Sequence, residues 1–156
     1  MTGLLNHRFL SDALDRELVA AKDLGNHLSI LFVDLDRFKS VNDRHGHLAG
    51  NTLLAEVAQL LASTLRSADL ITRFGGDEFM IILRNADVQN ATRIRQRIRK
   101  LFLKTQFLVN GEIWRQGLSI GLASYPADAS SVQELVVKAD QDMYRQKQAS
   151  SKGLQS

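Results

Sequence analysis

Apolar positions set the rhythm of this chain. Phe9, Leu10, Ala13, Leu14, Leu18 and Ala21 recur at helical spacing, which predicts a helix over 6–24 with Asn6 as its N-cap and Gly25-Asn26 as its stop. The period then breaks. Residues 28–33 form a short apolar run with β-formers, followed at once by Asp34-Leu35-Asp36, which predicts a buried strand whose C-terminal end carries acids. A short helix over about 38–43 comes next, Gly46 and Gly50 punctuate a turn, and Leu53, Leu54, Val57, Leu60, Leu61 and Leu65 mark an amphipathic helix. Residues 70–74 and 79–83 read as two strands of a hairpin turned by Gly75-Gly76-Asp77-Glu78. A helix over 91–102 carries Arg93, Arg95, Arg97, Arg99 and Lys100, with Arg93 and Arg95 read as solvated. Asn110-Gly111, between 107–109 and 113–115, is a second hairpin signal. A strand over 117–125, a helix over 132–148 and a mobile tail over 150–156 complete the chain.

With the small hairpin set aside, the order α-β-α-α-β-β-α-β-α contains a βαββαβ core. That pattern predicts an α+β, ferredoxin-like fold, a central antiparallel sheet flanked by helices, with the helices of the core on one face. The 156 residues make one domain, 1–156, and 44% hydrophobic content is enough for one sizeable core. A net charge of +3 suits a phosphate-rich ligand and gives no ground for nucleic acid as a partner. The absence of cysteine excludes disulfides and cysteine-ligated zinc and permits a cytoplasmic setting. No apolar run reaches the ~20 residues of a membrane span, and the N-terminus lacks a signal-peptide pattern, so no membrane contact is expected of this domain.

The candidate chemistry sits where strands end. Asp34 and Asp36 leave a buried strand, and Asp77-Glu78 occupy a hairpin turn. If the two strands are neighbours, both acid pairs project from one edge of the sheet. Carboxylates from separate strands are what a hard cation such as Mg²⁺ requires. Two such ions about 4 Å apart could activate a hydroxyl and stabilise a leaving pyrophosphate. Asp36 alone reads as a solvated turn acid. Gly75-Gly76 removes two side chains beside the acids and lets a bulky ligand approach the backbone. Phe38-Lys39 opens a helix, where free N–H groups beside a lysine make a phosphate site. Asn42 and Asn51 bracket His45-Gly46-His47 and either read a base edge or cap turns. His45 and His47 are not taken as ligands, since a magnesium site prefers oxygen.

Five ordered segments resemble one family. Arg73-Phe74-Gly75-Gly76-Asp77-Glu78-Phe79 is similar to the signature of GGDEF domains. Thr2-Gly3-Leu4-Leu5-Asn6 resembles the family's entry motif, and Asp34-Leu35-Asp36-Arg37-Phe38-Lys39-Ser40-Val41-Asn42-Asp43 its metal and phosphate segment. Ser119-Ile120-Gly121 with Tyr125-Pro126 resembles its central strand, and Ala139-Asp140 with Met143-Tyr144 and Lys147 its last helix. The resemblance covers nearly the whole chain. It implies a fold related to polymerase palm domains and nucleotidyl cyclases. The implied reaction is 2 GTP → cyclic di-GMP + 2 pyrophosphate, run by a transient face-to-face homodimer with two Mg²⁺ or Mn²⁺ ions per site. By the same resemblance Asp34 and Asp77 are metal ligands, helped by the Leu35 carbonyl. Glu78 lies beside the metals and supports the attacking 3′-hydroxyl. Phe38 and Lys39 hold the triphosphate beside Gly75-Gly76, Lys147 reaches the phosphates, and Asn42 contacts guanine. Arg66-Ser67-Ala68-Asp69 stands where the family has its product-inhibition motif, with Arg97 completing the clamp.

The chain departs from the family's pattern at two places. Gly50-Asn51 replaces the usual Gly-Asp, so a base-reading acid becomes an amide. Ser150 and Ser151 stand where a Gly-Arg pair is usual after the last lysine. The chain also begins inside the entry motif, which implies a module of a longer parent. An active cyclase is the expected function. The alternative is a weak or inactive domain that serves as a GTP or cyclic di-GMP receptor.

Overall fold

The computed structural model describes residues 7–155, with side chains described from 10 to 150. The expected N-cap Asn6 and the segment Thr2 to Asn6 lie outside the described residues. The element order is α1 (His7–Leu24), β1 (Leu28–Leu35), α2 (Phe38–His45), α3 (His47–Ser63), β2 (Leu70–Arg73), β3 (Glu78–Arg84), α4 (Val88–Lys104), β4 (Phe107–Val109), β5 (Glu112–Trp114), β6 (Leu118–Tyr125) and α5 (Val132–Gln155). The last helix therefore runs past its expected end at 148, as far as Gln155. None of the described helices is long and apolar enough to cross a membrane.

Four strands form one sheet in the order β2-β3-β1-β6, and β4-β5 form a separate ribbon. β1 runs antiparallel to both β3 and β6, the arrangement of a βαββαβ core. Every residue of β1 is buried, because helices cover both faces of the sheet: the core helices α2, α3 and α4 lie on one face, as the order suggested, and α1 and α5, outside the βαββαβ core, cover the other. Strand alternation decides which side chain goes where. Leu31, Val33, Leu35, Phe79, Ile81, Leu83 and Ile120 pack with residues of α2, α3 and α4. Leu28, Ile30, Phe32, Met80, Ile82 and Ala123 pack with residues of α1 and α5. The apolar run of β1 lacks clean alternation because both of its faces need burying.

Turn chemistry closes the elements. Asn110 and Gly111 both take positive φ, 51° and 80°, as a two-residue hairpin turn with right-handed strand twist demands. Gly46 alone separates α2 from α3, at φ 90° and ψ 164°, a conformation open to glycine. Gly50, expected in the same turn, lies instead inside α3 and is buried. Asp87 caps α4 by accepting the Asn90 N–H at 2.8 Å.

Candidate active site

The register of the sheet builds the site. Asp34 is the penultimate residue of β1, Glu78 opens β3, and the two stand directly opposite each other. Asp77 precedes Glu78 in the turn, and its carbonyl accepts the Leu35 N–H at 3.1 Å, which ties the turn to the end of β1. One carboxylate oxygen from each of Asp34, Asp77 and Glu78 lies within 4.8 Å of the others. Arg73 staples the glycine turn by donating from Nε to the Gly75 carbonyl at 3.1 Å and from a terminal nitrogen to the Gly76 carbonyl at 2.7 Å. The sequence reading gave Arg73 no role. Its signal was local: a glycine-rich turn leaves carbonyls that need a donor. A Cβ on Gly76 would meet nothing within 4 Å, whereas one on Gly75 would stand 3.2 Å from a Glu78 carboxylate oxygen. The turn is thus open beside the acids.

Asp34 lies on the sheet face covered by α1 and α5, in the same alternation as Leu28, Ile30 and Phe32. From α5, Lys147 donates to Asp34 Oδ2 at 2.7 Å across 113 residues of sequence. Asp34 Oδ1 is buried and has no hydrogen-bond partner among the described residues. Burial pushes the Asp77 carboxyl above its ordinary range, and the neighbouring Asp34 adds to the shift. Glu78 is raised in the same way, by burial first and then by Asp34, Asp77 and Asp140. Lys147 is held above its usual value by its hydrogen bond to Asp34. Three acids thus share one lysine, and one buried carboxylate oxygen is left unsatisfied. A hard cation fits that donor set, because it neutralises the crowded charge and takes up the orphaned oxygen.

The remaining expected residues fall around this cluster. Asp36 is not a solvated turn acid. Its Oδ1 accepts the Ser119 hydroxyl at 2.8 Å, and burial raises its carboxyl. Arg37 takes a left-handed backbone, φ 57°, and the helix α2 begins after it. Phe38 is buried and Lys39 is exposed on the first turn of α2. Asn42 lies half-buried against Gly50 of α3, and Asn51 is the next, exposed residue. Asn42 and the residue before Asn51 therefore meet at one helical corner. His45 turns the other way, 3.6 Å from Glu112 of the hairpin.

Arg66 and Asp69 do converge, but on each other. The Arg66 guanidinium forks onto the Asp69 carboxylate at 3.1 and 2.8 Å, and that carboxylate is fully buried. Arg97 reaches the same corner by donating to the Thr64 carbonyl at 2.7 Å. Arg95 corrects the solvated reading. Its side chain is only 17% exposed and pairs with Asp142 of α5 at 2.9 Å. Asp142, which sequence reasoning missed, also accepts the Leu122 N–H on β6, the outer strand of the sheet. Its only local signal was an acid among apolar positions of the last helix.

A family model described as diguanylate cyclase, GGDEF domain, matches residues 1–153. Diguanylate cyclase A of Treponema denticola is 40% identical over 121 residues, which are 78% of this chain and 33% of that protein. Diguanylate cyclase DosC of Escherichia coli is 39% identical over 148 residues, 92% of this chain and 31% of that protein. The chain spans about a third of the length of these curated relatives. The solved GGDEF domain of TpbB (or YfiN) from Pseudomonas aeruginosa matches with a TM-score of 0.89 at 37% identity, covering 95% of this chain and 87% of that one. The active GGEEF domain of a Vibrio cholerae diguanylate cyclase matches at 0.84 and 30% identity, over 94% and 92%. With its acid cluster on the paired ends of β1 and β3 and a family match over nearly its whole length, this chain belongs to the GGDEF domain family of diguanylate cyclases.

Proposed function

We propose that this domain condenses two GTP into cyclic di-GMP and two pyrophosphates, in the cytoplasm, as a transient homodimer with one nucleotide per domain. The observation that carries the proposal is the three-carboxylate cluster with the orphaned Asp34 Oδ1. Asp34, Asp77, Glu78 and the Leu35 carbonyl are the residues that would hold Mg²⁺ or Mn²⁺, two ions per site, and the bound ions supply Lewis-acid neutralisation of phosphate charge.

The chain's own residues then have distinct tasks. The start of α2, with Lys39, binds the triphosphate, and the bare Gly75-Gly76 turn leaves room for it. Lys147 stands at the cluster as the second cation for the phosphates. Glu78, beside the metals, supports the attacking 3′-hydroxyl as the acceptor of its proton. As that oxygen bonds to the α-phosphorus of the facing nucleotide, the bond to the β-phosphate breaks and pyrophosphate leaves. Asn42 and Asn51 face the base. The corner of Arg66, Asp69 and Arg97 receives the product, with the guanidinium fork opening from Asp69 toward a phosphate.

The test is incubation with GTP and Mg²⁺ and chromatographic identification of the nucleotide product. Cyclic di-GMP is expected, with specific activity falling on dilution, because the site needs two loaded domains. Added cyclic di-GMP slows the reaction, and Arg66→Ala relieves that inhibition. Tight nucleotide binding with no product at any concentration would replace this reading with that of a receptor domain.

Base choice gives a second expectation. Guanine presents two adjacent donors, and an ionised carboxylate accepts both, whereas the Asn51 amide offers one acceptor and one donor. An unpaired buried donor costs roughly 1–3 kcal/mol, or about tenfold in affinity. Asn51→Asp should therefore raise the GTP-over-ATP affinity ratio about tenfold. Calorimetry with GTP, ATP and ITP reads this directly, and an unchanged ratio removes Asn51 from base recognition.

A further inference from the structure

The geometry points to Gly50 as a positioning residue that fixes how Asn42 presents its carboxamide to the nucleotide base. This inference rests on the reading of Asn42 as a base contact. Gly50 is buried in the interior of α3. A glycine there lowers helix stability relative to alanine, so its presence needs a cause. Backbone conformation is not that cause, since Gly50 does not take the positive φ seen at Gly25, Gly46 and Gly111. Space is. A Cβ at Gly50 would stand 1.9 Å from Asn42 Oδ1, 3.0 Å from Asn42 Cγ and 3.2 Å from Phe38 Cζ.

All three atoms belong to α2, and Phe38 and Asn42 lie one turn apart on the same face of that helix. The two contacts differ in kind. The Phe38 ring needs to move by a few tenths of an ångström. The Asn42 carboxamide must move further: its Oδ1 is the end of a flexible side chain and clears a Cβ by turning about χ2, which redirects the amide's oxygen and NH₂ group. Among the described residues, the Asn42 carboxamide makes no hydrogen bond within the chain. It occupies the space that a side chain at position 50 would fill. Asn51 follows immediately, so Gly50 sits between the two amides and lets the α2 amide lie alongside α3.

The experiment is a double-mutant cycle on the full chain with Gly50→Ala, Asn42→Ala and the double variant. A non-hydrolysable GTP analogue and inorganic triphosphate, each with Mg²⁺, are titrated by calorimetry, and thermal melting checks the fold. Gly50→Ala is expected to weaken the GTP analogue about tenfold, as Asn42→Ala does. It should add nothing in the Asn42→Ala background, where the clashing amide is gone and the double variant folds. Inorganic triphosphate should bind all four proteins alike, which a general collapse of α2 would not allow. If Asn42→Ala weakens the analogue and Gly50→Ala does not, or if the two effects multiply, the positioning role is wrong while the base reading stands. If Asn42→Ala leaves the analogue's affinity unchanged, the base reading itself fails and takes this inference with it.

Discussion

Asp77→Asn is expected to abolish metal-dependent product formation while leaving the fold intact. Asp77 supplies one of three carboxylates whose oxygens converge within 4.8 Å. An amide keeps the shape and the oxygen but loses the charge, and its NH₂ group has no acceptor role toward a cation. Changes to residues that merely support metal ligands typically cost about 10–100-fold. Loss of a charged ligand should cost at least about 100-fold. The fold should survive for a physical reason visible in the site. Burial and the neighbouring Asp34 both penalise the ionised Asp77 carboxyl. Removing its charge relieves repulsion and leaves β1 and β3 paired, since their ladder and the Leu35-to-Asp77 hydrogen bond use backbone atoms. Mn²⁺ titration by calorimetry, thermal melting without metal and product chromatography measure the three parts. Product formation at the wild-type rate would remove Asp77 from the site.

Gly121→Ala is expected to cost far more stability than the same methyl added at Gly76. Gly121 lies on β6 opposite Phe32 of β1, on the face where α5 packs. A Cβ there would stand 2.0 Å from the Ala139 carbonyl oxygen, 2.3 Å from the Met143 nitrogen and 2.8 Å from the Met143 Cα. These are backbone atoms of a long helix, so no rotamer change can relieve the clash. α5 must lift off the sheet. Overpacking a core costs typically 1–3 kcal/mol, and a clash with backbone belongs at about the upper end or beyond. The effect should also reach the active site. Lys147 lies one helical turn past Met143, so lifting α5 draws its ammonium from Asp34, where it now sits at 2.7 Å. Urea unfolding gives the stability loss. Gly76→Ala is the control. It adds the same methyl where nothing lies within 4 Å, and its stability should change by no more than about 0.5 kcal/mol. Equal stability of Gly121→Ala and wild type would mean that α5 does not rest on that glycine.

The sequence by itself determined what depends on near neighbours. The apolar run ending in Asp34-Leu35-Asp36 specified a buried strand with acids at its end. Asn110-Gly111 specified a hairpin, because few residue pairs tolerate positive φ twice in a row. Gly75-Gly76-Asp77-Glu78 specified an acid-bearing turn, and the order of elements specified the sheet. The convergence of Asp34 with Asp77 and Glu78 followed once those strands were neighbours. The tertiary structure decided everything that depends on which distant surface comes to lie opposite. Gly50 reads as a turn glycine in the chain, yet it lies inside α3, where a Cβ would stand 1.9 Å from Asn42 Oδ1. Arg95 reads as a solvated charge on a basic helix, yet it is covered because α5 brings Asp142 to it. Asp36 reads as a loop acid, yet Ser119, 83 residues away, holds it. Helices cover both faces of the sheet because β1 is apolar on both sides, a fact that a period count records without saying what fills each face. Local spacing and turn chemistry act over a few bonds and are written in the order of residues. Steric exclusion, burial and charge pairing act between segments that meet only when the chain has folded, so they become visible only there.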